Sequence, residues 1–330
     1  MKDNLSIAVI IPVYNVRERL VQCVNSLVEQ TITNYTIYLI DDGSTDGSED
    51  ICDELSTRFE GKVVTFHKKN GGVSDARNFG INHTTSDLVA FVDPDDYVTK
   101  YYLENLYTAL INAKADIACC DFQELWEGDV LEYREECLKS KNMKSYSSTE
   151  ALEVLLYQRQ IDFAVWGKLF KRALFKGIEF PVGKRYEDVP VTLQLFAKSK
   201  NVVIYDLKDY IYWQRNAGMM NSSFSDTKLD IIEMMDEMMS FIKTERPSVI
   251  KAASCRYFAG LSNVYFQIPK SHIAKRIVWQ KMKSVRKTIL IDDKASKKVK
   301  IGVLLSYLGS WPMEMVYSSL KKKSGLGEQR

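Results

Sequence analysis

Several kinds of chemistry are missing from this 330-residue chain. It has three histidines, His67, His83 and His272, scattered along the sequence. Their placing supports neither a histidine metal cluster nor a Ser-His-Asp hydrolase. The six cysteines, Cys23, Cys52, Cys119, Cys120, Cys137 and Cys255, form no CxxC pair. Several lie inside apolar helical or strand patterns, the usage of reduced, buried thiols in a cytoplasmic protein and not of a disulfide framework. No GxGxxG follows the first apolar run and no GxxxxGK(S/T) occurs. That argues against a dinucleotide-binding Rossmann domain and against a P-loop, so any phosphate must be met by side chains and a metal. The first apolar run is broken by Pro12 and Asn15. It is too short to span a membrane and lacks a cleavage pattern, so a cytoplasmic location is expected.

What is present is enough for one large or two modest domains of ordinary globular composition. The charge is unevenly placed. From Lys270 to Lys323 there are 14 Lys or Arg against 3 Asp or Glu, while the rest of the chain has 31 against 40. An acidic body with a basic tail points to an anionic partner surface. No recognisable RNA- or DNA-binding motif accompanies it, so nucleic acid is not the expected partner.

Ile7 to Val13 is a continuous apolar run, predicting a strand buried on both faces, with Pro12 near its end. Leu20, Cys23, Val24, Leu27 and Val28 then follow helical spacing. Thr36 to Ile40 predicts a second strand, and Ile51, Leu55 and Phe59 a second helix with Thr45 or Asp46 as N-cap. Val63 to Phe66 is a third strand, Val73 to about Asn82 a third helix, and Leu88 to Val92 a fourth strand. This alternation predicts an α/β fold with a mostly parallel sheet flanked by helices. Ligands in such folds bind beyond the carboxyl ends of the strands. Tyr14 and Asn15, Asp41 and Asp42, Asn70 to Gly72, and Asp93 to Asp96 all fall there.

The fourth strand runs into Asp93-Pro94-Asp95-Asp96, three carboxylates in four positions. Close like charges repel unless a cation sits among them. Oxygen-only ligands favour Mg²⁺ or Mn²⁺, which shares its coordination with substrate phosphates. An acidic turn bent by Pro94 is the plainer alternative.

Four segments carry a resemblance. They are Ile7–Asn15 (IAVIIPVYN), Ile40–Asp46 (IDDGSTD), Asn70–Gly80 (NGGVSDARNFG) and Phe91–Asp96 (FVDPDD). In order and spacing they are similar to family 2 glycosyltransferases of the bacterial surface-polysaccharide type. The resemblance implies a GT-A fold over 1–220, with a nucleotide-binding part at 1–122 and an acceptor part at 123–220. It implies an inverting transfer from a nucleotide-sugar, a UDP-sugar, to a saccharide acceptor such as a lipid-linked or protein-linked glycan. It places Asp42 at the uracil N3–H, with Pro12, Val13, Tyr14 and Asn15 lining the base; capping of the following turn and helix is the other role open to Asp41 and Asp42. Gly72 and Arg77 are implied at the diphosphate, where a planar guanidinium suits phosphate oxygens. Asp95 is implied as ligand to Mn²⁺ or Mg²⁺, and Asp93 as ligand to ribose or metal. Asp96 is a third acid or a helix cap.

Further along, Val165–Phe175 and Tyr186–Pro190 also resemble the family. Its usual Asn after the tryptophan is Gly167 here. The resemblance makes Asp188 the base that takes the acceptor proton, with Glu187 beside it; capping of the next helix is the alternative for Asp188. Trp166, Lys168 and Arg215 are candidate donor or acceptor contacts. The rival function is a catalytically degenerate nucleotide-sugar-binding scaffold for another glycosyltransferase.

Residues 221–330 read as a helical extension, membrane-associating or oligomerising. Ile231, Met234, Met235, Met238 and Ile242 are helically spaced, and Met-rich faces usually pack as core. Ile301 to Leu320 is mostly apolar, bears Trp311 and is flanked by lysines. Gly302, Gly309, Pro312 and Glu314 make it a poor spanning helix. Two readings stay open: an interfacial anchor on anionic lipid, or a terminal helix docked on the body or on a second subunit.

Overall fold

The computed structural model describes residues 5–126, 129, 136–138, 143–214 and 224–323, the side chains after Tyr317 excepted. The chain divides into two compact units, Met1–Leu152 with Arg159–Ser222, and Glu153–Gln158 with Ser223–Arg330.

In the first unit the order is β1 (Ile7–Val13), α1 (Arg17–Val28), β2 (Tyr35–Asp41), α2 (Ser48–Arg58), β3 (Val63–His67), α3 (Val73–His83), β4 (Leu88–Phe91), β5 (Tyr97–Val98) and α4 (Tyr102–Asn112). Then come β6 (Ile117–Trp126), β7 (Met143–Ser147), α5 (Ser148–Tyr157, of which Glu153 onward is counted with the second unit), β8 (Lys168–Lys171), α6 (Asp188–Lys198) and β9 (Asn201–Gln214). One sheet runs β3-β2-β1-β4-β8-β6-β9-β5, with β7 added on β9. The strands β3, β2, β1 and β4 are mutually parallel, as their apolar runs predict. Beyond β4 the sheet is mixed: β8 runs antiparallel to β4 and β6, and β9 is parallel to β6 but antiparallel to β5 and β7.

Every residue of β1 is buried, which explains its unbroken apolar run at the centre of the parallel half. The helix α3 lies close on this strand because of Gly80: a Cβ there would stand 2.6 Å from Ile10 Cγ2. That approach fixes the height of Arg77, one turn earlier, above the strand ends. The N-cap of α2 is Gly47. Asp46 precedes it, accepting the Ser48 N–H at 2.9 Å, so it caps from one residue further out than expected.

Two strands are longer than the sequence pattern predicts. The sequence predicts one strand over Ala115 to Phe122 and another over Tyr210 to Arg215; the first spans Ile117–Trp126 and the second begins at Asn201. Charged residues hide both, but pairing between β6 and β9 continues through them. Asp209 is buried and accepts from Thr99 Oγ1 at 2.6 Å and from Asn105 Nδ2 and Tyr205 OH at 2.9 Å. Burial pushes its pKa up, and these three donors oppose the shift.

The second unit is helical: α7 (Asp230–Glu245), α8 (Ile250–Tyr265), α9 (Ile273–Ser284), α10 (Arg286–Leu290), α11 (Lys297–Tyr307) and α12 (Ser310–Lys323). The methionine face of α7 is core, with Met234, Met235 and Met238 buried beside Ile231 and Ile242. Among the described residues no helix is long and apolar enough to cross a membrane.

Candidate active site

The carboxyl ends of β1, β2, β3 and β4 deliver their loops to one rim. After β1, Asn15 takes a left-handed backbone (φ 52°), which asparagine tolerates better than most residues. Its Oδ1 accepts the Thr45 N–H at 2.9 Å and its own N–H donates to Ser44 Oγ at 3.2 Å, so it clips this loop to the one after β2. Pro12 and Val13 are buried within the strand, whereas Tyr14 is 50% exposed at the rim.

Asp42 stands one residue beyond β2. Its Oδ1 accepts the Gly71 N–H at 2.9 Å and its Oδ2 the Gly72 N–H at 2.7 Å. Lys68 Nζ bridges Asp42 Oδ1 and Asp75 Oδ2, each at 2.5 Å. Burial would lower the Lys68 pKa, but the bonds to Asp42 and Asp75 raise it overall. Asp42 therefore fixes the Asn70-Gly71-Gly72 loop and does not cap a helix. Lys68 is a residue sequence reasoning missed; its only sequence signal is a lysine at a strand end before Gly-Gly. His67 lies 2.9 Å from Asp41 and 3.0 Å from Asp53. Those two bonds raise its pKa.

Arg77 gathers the remaining acids. Its Nη1 donates to Glu187 Oε1 and to Asp188 Oδ1, both at 2.8 Å, and its Nη2 to Asp93 Oδ1 at 3.0 Å. Its side chain is 4% exposed. Burial alone would lower its pKa, but Asp188, Asp93 and Glu187 more than offset that. The neighbouring Asn78 holds the chain that leads to these acids, donating to Phe180 O at 2.9 Å and accepting its N–H at 2.8 Å. Two consecutive residues of α3 thus hold the loop before α6.

Asp188 is the first residue of α6, and Glu187 its N-cap, without a side-chain capping bond. Tyr186, just before them, is left-handed (φ 61°), a conformation that non-glycine residues keep only when their surroundings enforce it. Burial pushes the Asp188 carboxyl up to about 7; Arg77 pulls it down, and Glu187, Asp93 and Asp162 push it further up. A carboxylate poised there can take a proton near neutral pH.

Asp96 lies beneath the rim, 1% exposed. It accepts from Tyr210 OH at 2.6 Å and from the Trp213 N–H at 2.8 Å. Burial and then Asp93 and Asp95 push its pKa well up. The Asp93 N–H in turn donates to Tyr210 OH at 3.1 Å, so Tyr210 is the link from Asp96 to the rim. Trp166 is buried, stacked on Tyr210 with ring centres 4.5 Å apart. It packs as core, not as a sugar platform. Lys168 is buried too, its Nζ donating to Ala164 O at 2.6 Å. Gly167 is left-handed (φ 66°), a region asparagine also tolerates. Arg215 lies outside the described residues.

The site's fitness for a metal rests on its donor set. Asp93 and Asp95 are partly exposed at the end of β4. Among the described residues no three His, Cys, Asp or Glu side chains converge as a ready cage. Two carboxylates suit Mg²⁺ or Mn²⁺, which completes its shell from diphosphate oxygens and water.

Comparison with known proteins agrees with this layout. GlyA, a glycosyltransferase of Streptococcus pneumoniae serotype 4, is 31% identical over 240 residues, covering 72% of this chain and 34% of GlyA. GlyG, a glycosyltransferase of the same strain, is 28% identical over 241 residues, 71% of this chain and 79% of GlyG. The chain thus spans about a third of the length of GlyA. The crystal structure of S. aureus TarS 1–349 in complex with UDP-GlcNAc superposes with a TM-score of 0.59 at 17% identity, covering 93% of this chain and 92% of that one. The mannosyltransferase PcManGT from Pyrobaculum calidifontis, in complex with GDP-Man and Mn²⁺, gives 0.59 at 13% identity, covering 96% and 86%. These likenesses establish the GT-A fold. The Glycosyl transferase family 2 profile matches residues 8–178. It ends before Glu187 and Asp188, which Arg77 ties back to the matched stretch. With the profile matching more than half its length, the chain belongs to glycosyl transferase family 2.

Proposed function

We propose that the chain is a metal-dependent, inverting glycosyltransferase. It moves a sugar from a UDP-sugar to a saccharide acceptor in polysaccharide or glycoconjugate assembly. One observation carries the reading: Arg77 brings Asp93, at the strand-end donor rim, and Asp188, the base candidate, onto one guanidinium. Leaving group and base then stand within one side chain's span of each other, as a single displacement requires.

Tyr14 offers its exposed side chain to the base. Asp42 Oδ2 accepts one protein N–H, and a carboxylate oxygen has a second acceptor site for uracil N3–H. When bound at Asp93 and Asp95, Mn²⁺ or Mg²⁺ supplies Lewis-acid neutralisation of charge on the departing diphosphate. Of the five N–H donors of Arg77, three are spent on Glu187, Asp188 and Asp93, and the second N–H of Nη2 can address a diphosphate oxygen. Asp188 accepts the acceptor hydroxyl proton as that oxygen bonds to the anomeric carbon and the bond to the diphosphate oxygen breaks. The configuration inverts because attack and departure are on opposite faces.

The test is UDP release from a panel of UDP-sugars, with Mn²⁺ and with chelator, by wild type and Asp188→Asn. Metal-dependent turnover lost in the variant, with donor affinity kept, is expected; full activity in the variant overturns the assignment. One observation favours a second reading. Lys68 and Arg77 neutralise the rim acids from within. A degenerate member that binds nucleotide-sugar only as a scaffold would have the same arrangement. Saturable UDP binding without any UDP release, across donors and with acceptor present, would support the scaffold.

A further inference from the structure

The helices α11 and α12 of the second unit carry an apolar surface that the transfer chemistry does not use. On α11, Val303 and Ser306 are buried, while Ile301 and Leu304 are exposed. Leu308, at the end of this helix, is 76% exposed. After the bend at Gly309, Trp311 is 68% and Met315 50% exposed on α12, with Met313 turned into the unit. Ile301, Leu304 and Leu308 are spaced by three and four residues, one stripe of a helix, and Trp311 and Met315 by four. Large apolar side chains exposed along one helix stripe mark an interaction surface.

Its electrostatic setting identifies the partner. Lys297 and Lys298 are exposed on the first turn of α11, and Lys300 follows half-buried. From Lys294 to Lys323 the sequence has seven lysines and a single acid, Glu314, which lies 3.5 Å from Lys275. A second copy of the chain would set this lysine field against its own like, which costs free energy. Among the described residues no helix is long and apolar enough to span a bilayer. Exposed Leu and Trp flanked by lysines match instead the boundary between acyl chains and anionic headgroups.

We infer that the α11–α12 corner is a peripheral docking surface for an anionic lipid bilayer, with Leu304, Leu308 and Trp311 entering the interface and Lys297 and Lys298 held at the headgroups. This surface is independent of the donor site, and its test does not read glycosyl transfer. The full chain is floated with phosphatidylglycerol–phosphatidylcholine vesicles and with pure phosphatidylcholine vesicles, at about 20 mM and about 0.5 M salt. Flotation with the anionic vesicles at low salt, weakened by high salt and by removing the anionic lipid, is expected. The exposed triple substitution Leu304→Ser/Leu308→Ser/Trp311→Ser should weaken binding about tenfold or more while leaving thermal melting unchanged. Lys297→Glu/Lys298→Glu should weaken it on anionic vesicles alone. A blue shift of the Trp311 emission, read as the difference from Trp311→Phe, would place that ring in the interface. Three outcomes would each overturn the inference. The protein stays in the supernatant with anionic vesicles at low salt; the triple variant floats as well as wild type; or light scattering shows a dimer that the triple substitution splits and vesicles do not bind.

Discussion

Arg77 Nη1 donates to Asp188 Oδ1 at 2.8 Å, joining a helix of the family-matched stretch to an acid ten residues beyond it. The same guanidinium holds Glu187 and Asp93. A single cation therefore sets the distance between the donor rim and the base candidate, and its removal would be felt at both.

Arg77→Ala leaves three poorly solvated carboxylates without their shared cation, which should cost about 3–5 kcal/mol. Urea denaturation at pH 7 measures it. The deficit should shrink as pH falls and the carboxylates protonate. A loss under about 1 kcal/mol would mean that solvent or other cations already serve these acids.

The Asp188 carboxyl, pushed up to about 7 by burial, makes kcat/KM rise with pH through that value if it is the base. Stability runs the other way. A carboxyl whose folded pKa is raised contributes fully below its unfolded value, about 3.9, and that contribution is lost as pH climbs through about 7. Asp188→Asn, neutral throughout, should lose this dependence and lower turnover by about 10²-fold to 10⁴-fold. A pH–rate profile unchanged in the variant would remove Asp188 from the mechanism.

Tyr210→Phe removes the hydroxyl that donates to buried Asp96 and accepts from the Asp93 N–H. Leaving a buried carboxylate short of a donor should cost about 1–3 kcal/mol. Because the Asp93 backbone also loses its acceptor, the KM for donor should rise more than kcat falls. Equal changes in both parameters would argue that Tyr210 only stabilises the fold.

At Gly167 two substitutions should separate. The left-handed backbone admits Asn, so Gly167→Asn should be nearly neutral. Gly167→Val should cost about 2 kcal/mol or more. An added Cβ has ordinary contact there, 3.5 Å from Cys120 Sγ, so the difference is conformational, not steric. Thermal melting of both variants decides it.

The strand-end rim was legible because β1, β2, β3 and β4 are buried runs bounded by Asn, Asp and Gly, and strand direction follows from the alternation with helices. Asp42, Arg77, Asp93 and Asp188 all lie at that rim or are tied to it. What the sequence does not show is which partner each charge finds. Lys68 pairs with Asp42 and Asp75 only once β3 has aligned with β2. Arg77 meets Asp188 across 111 residues, a closure no local pattern encodes. Aromaticity likewise did not tell platform from core: Trp166 is covered because Tyr210 and Tyr212 stack against it. Asp96, a natural third acid by spacing, is drawn under the rim by Tyr210 and the Trp213 N–H.

In β9 the pairing with β6 shifts register at Asp209 and Tyr210, a β-bulge, and each of these neighbours is committed to its own bonded partners. Inserting or deleting one residue upstream in that strand would put this bulge out of step with β6, drawing the Asp209 carboxylate away from Thr99 and Asn105 and the Tyr210 phenol away from Asp96. Chimeras or loop grafts intended to change sugar preference should therefore keep the count of residues from Asn201 to Gln214 fixed, and place their junctions elsewhere in the chain.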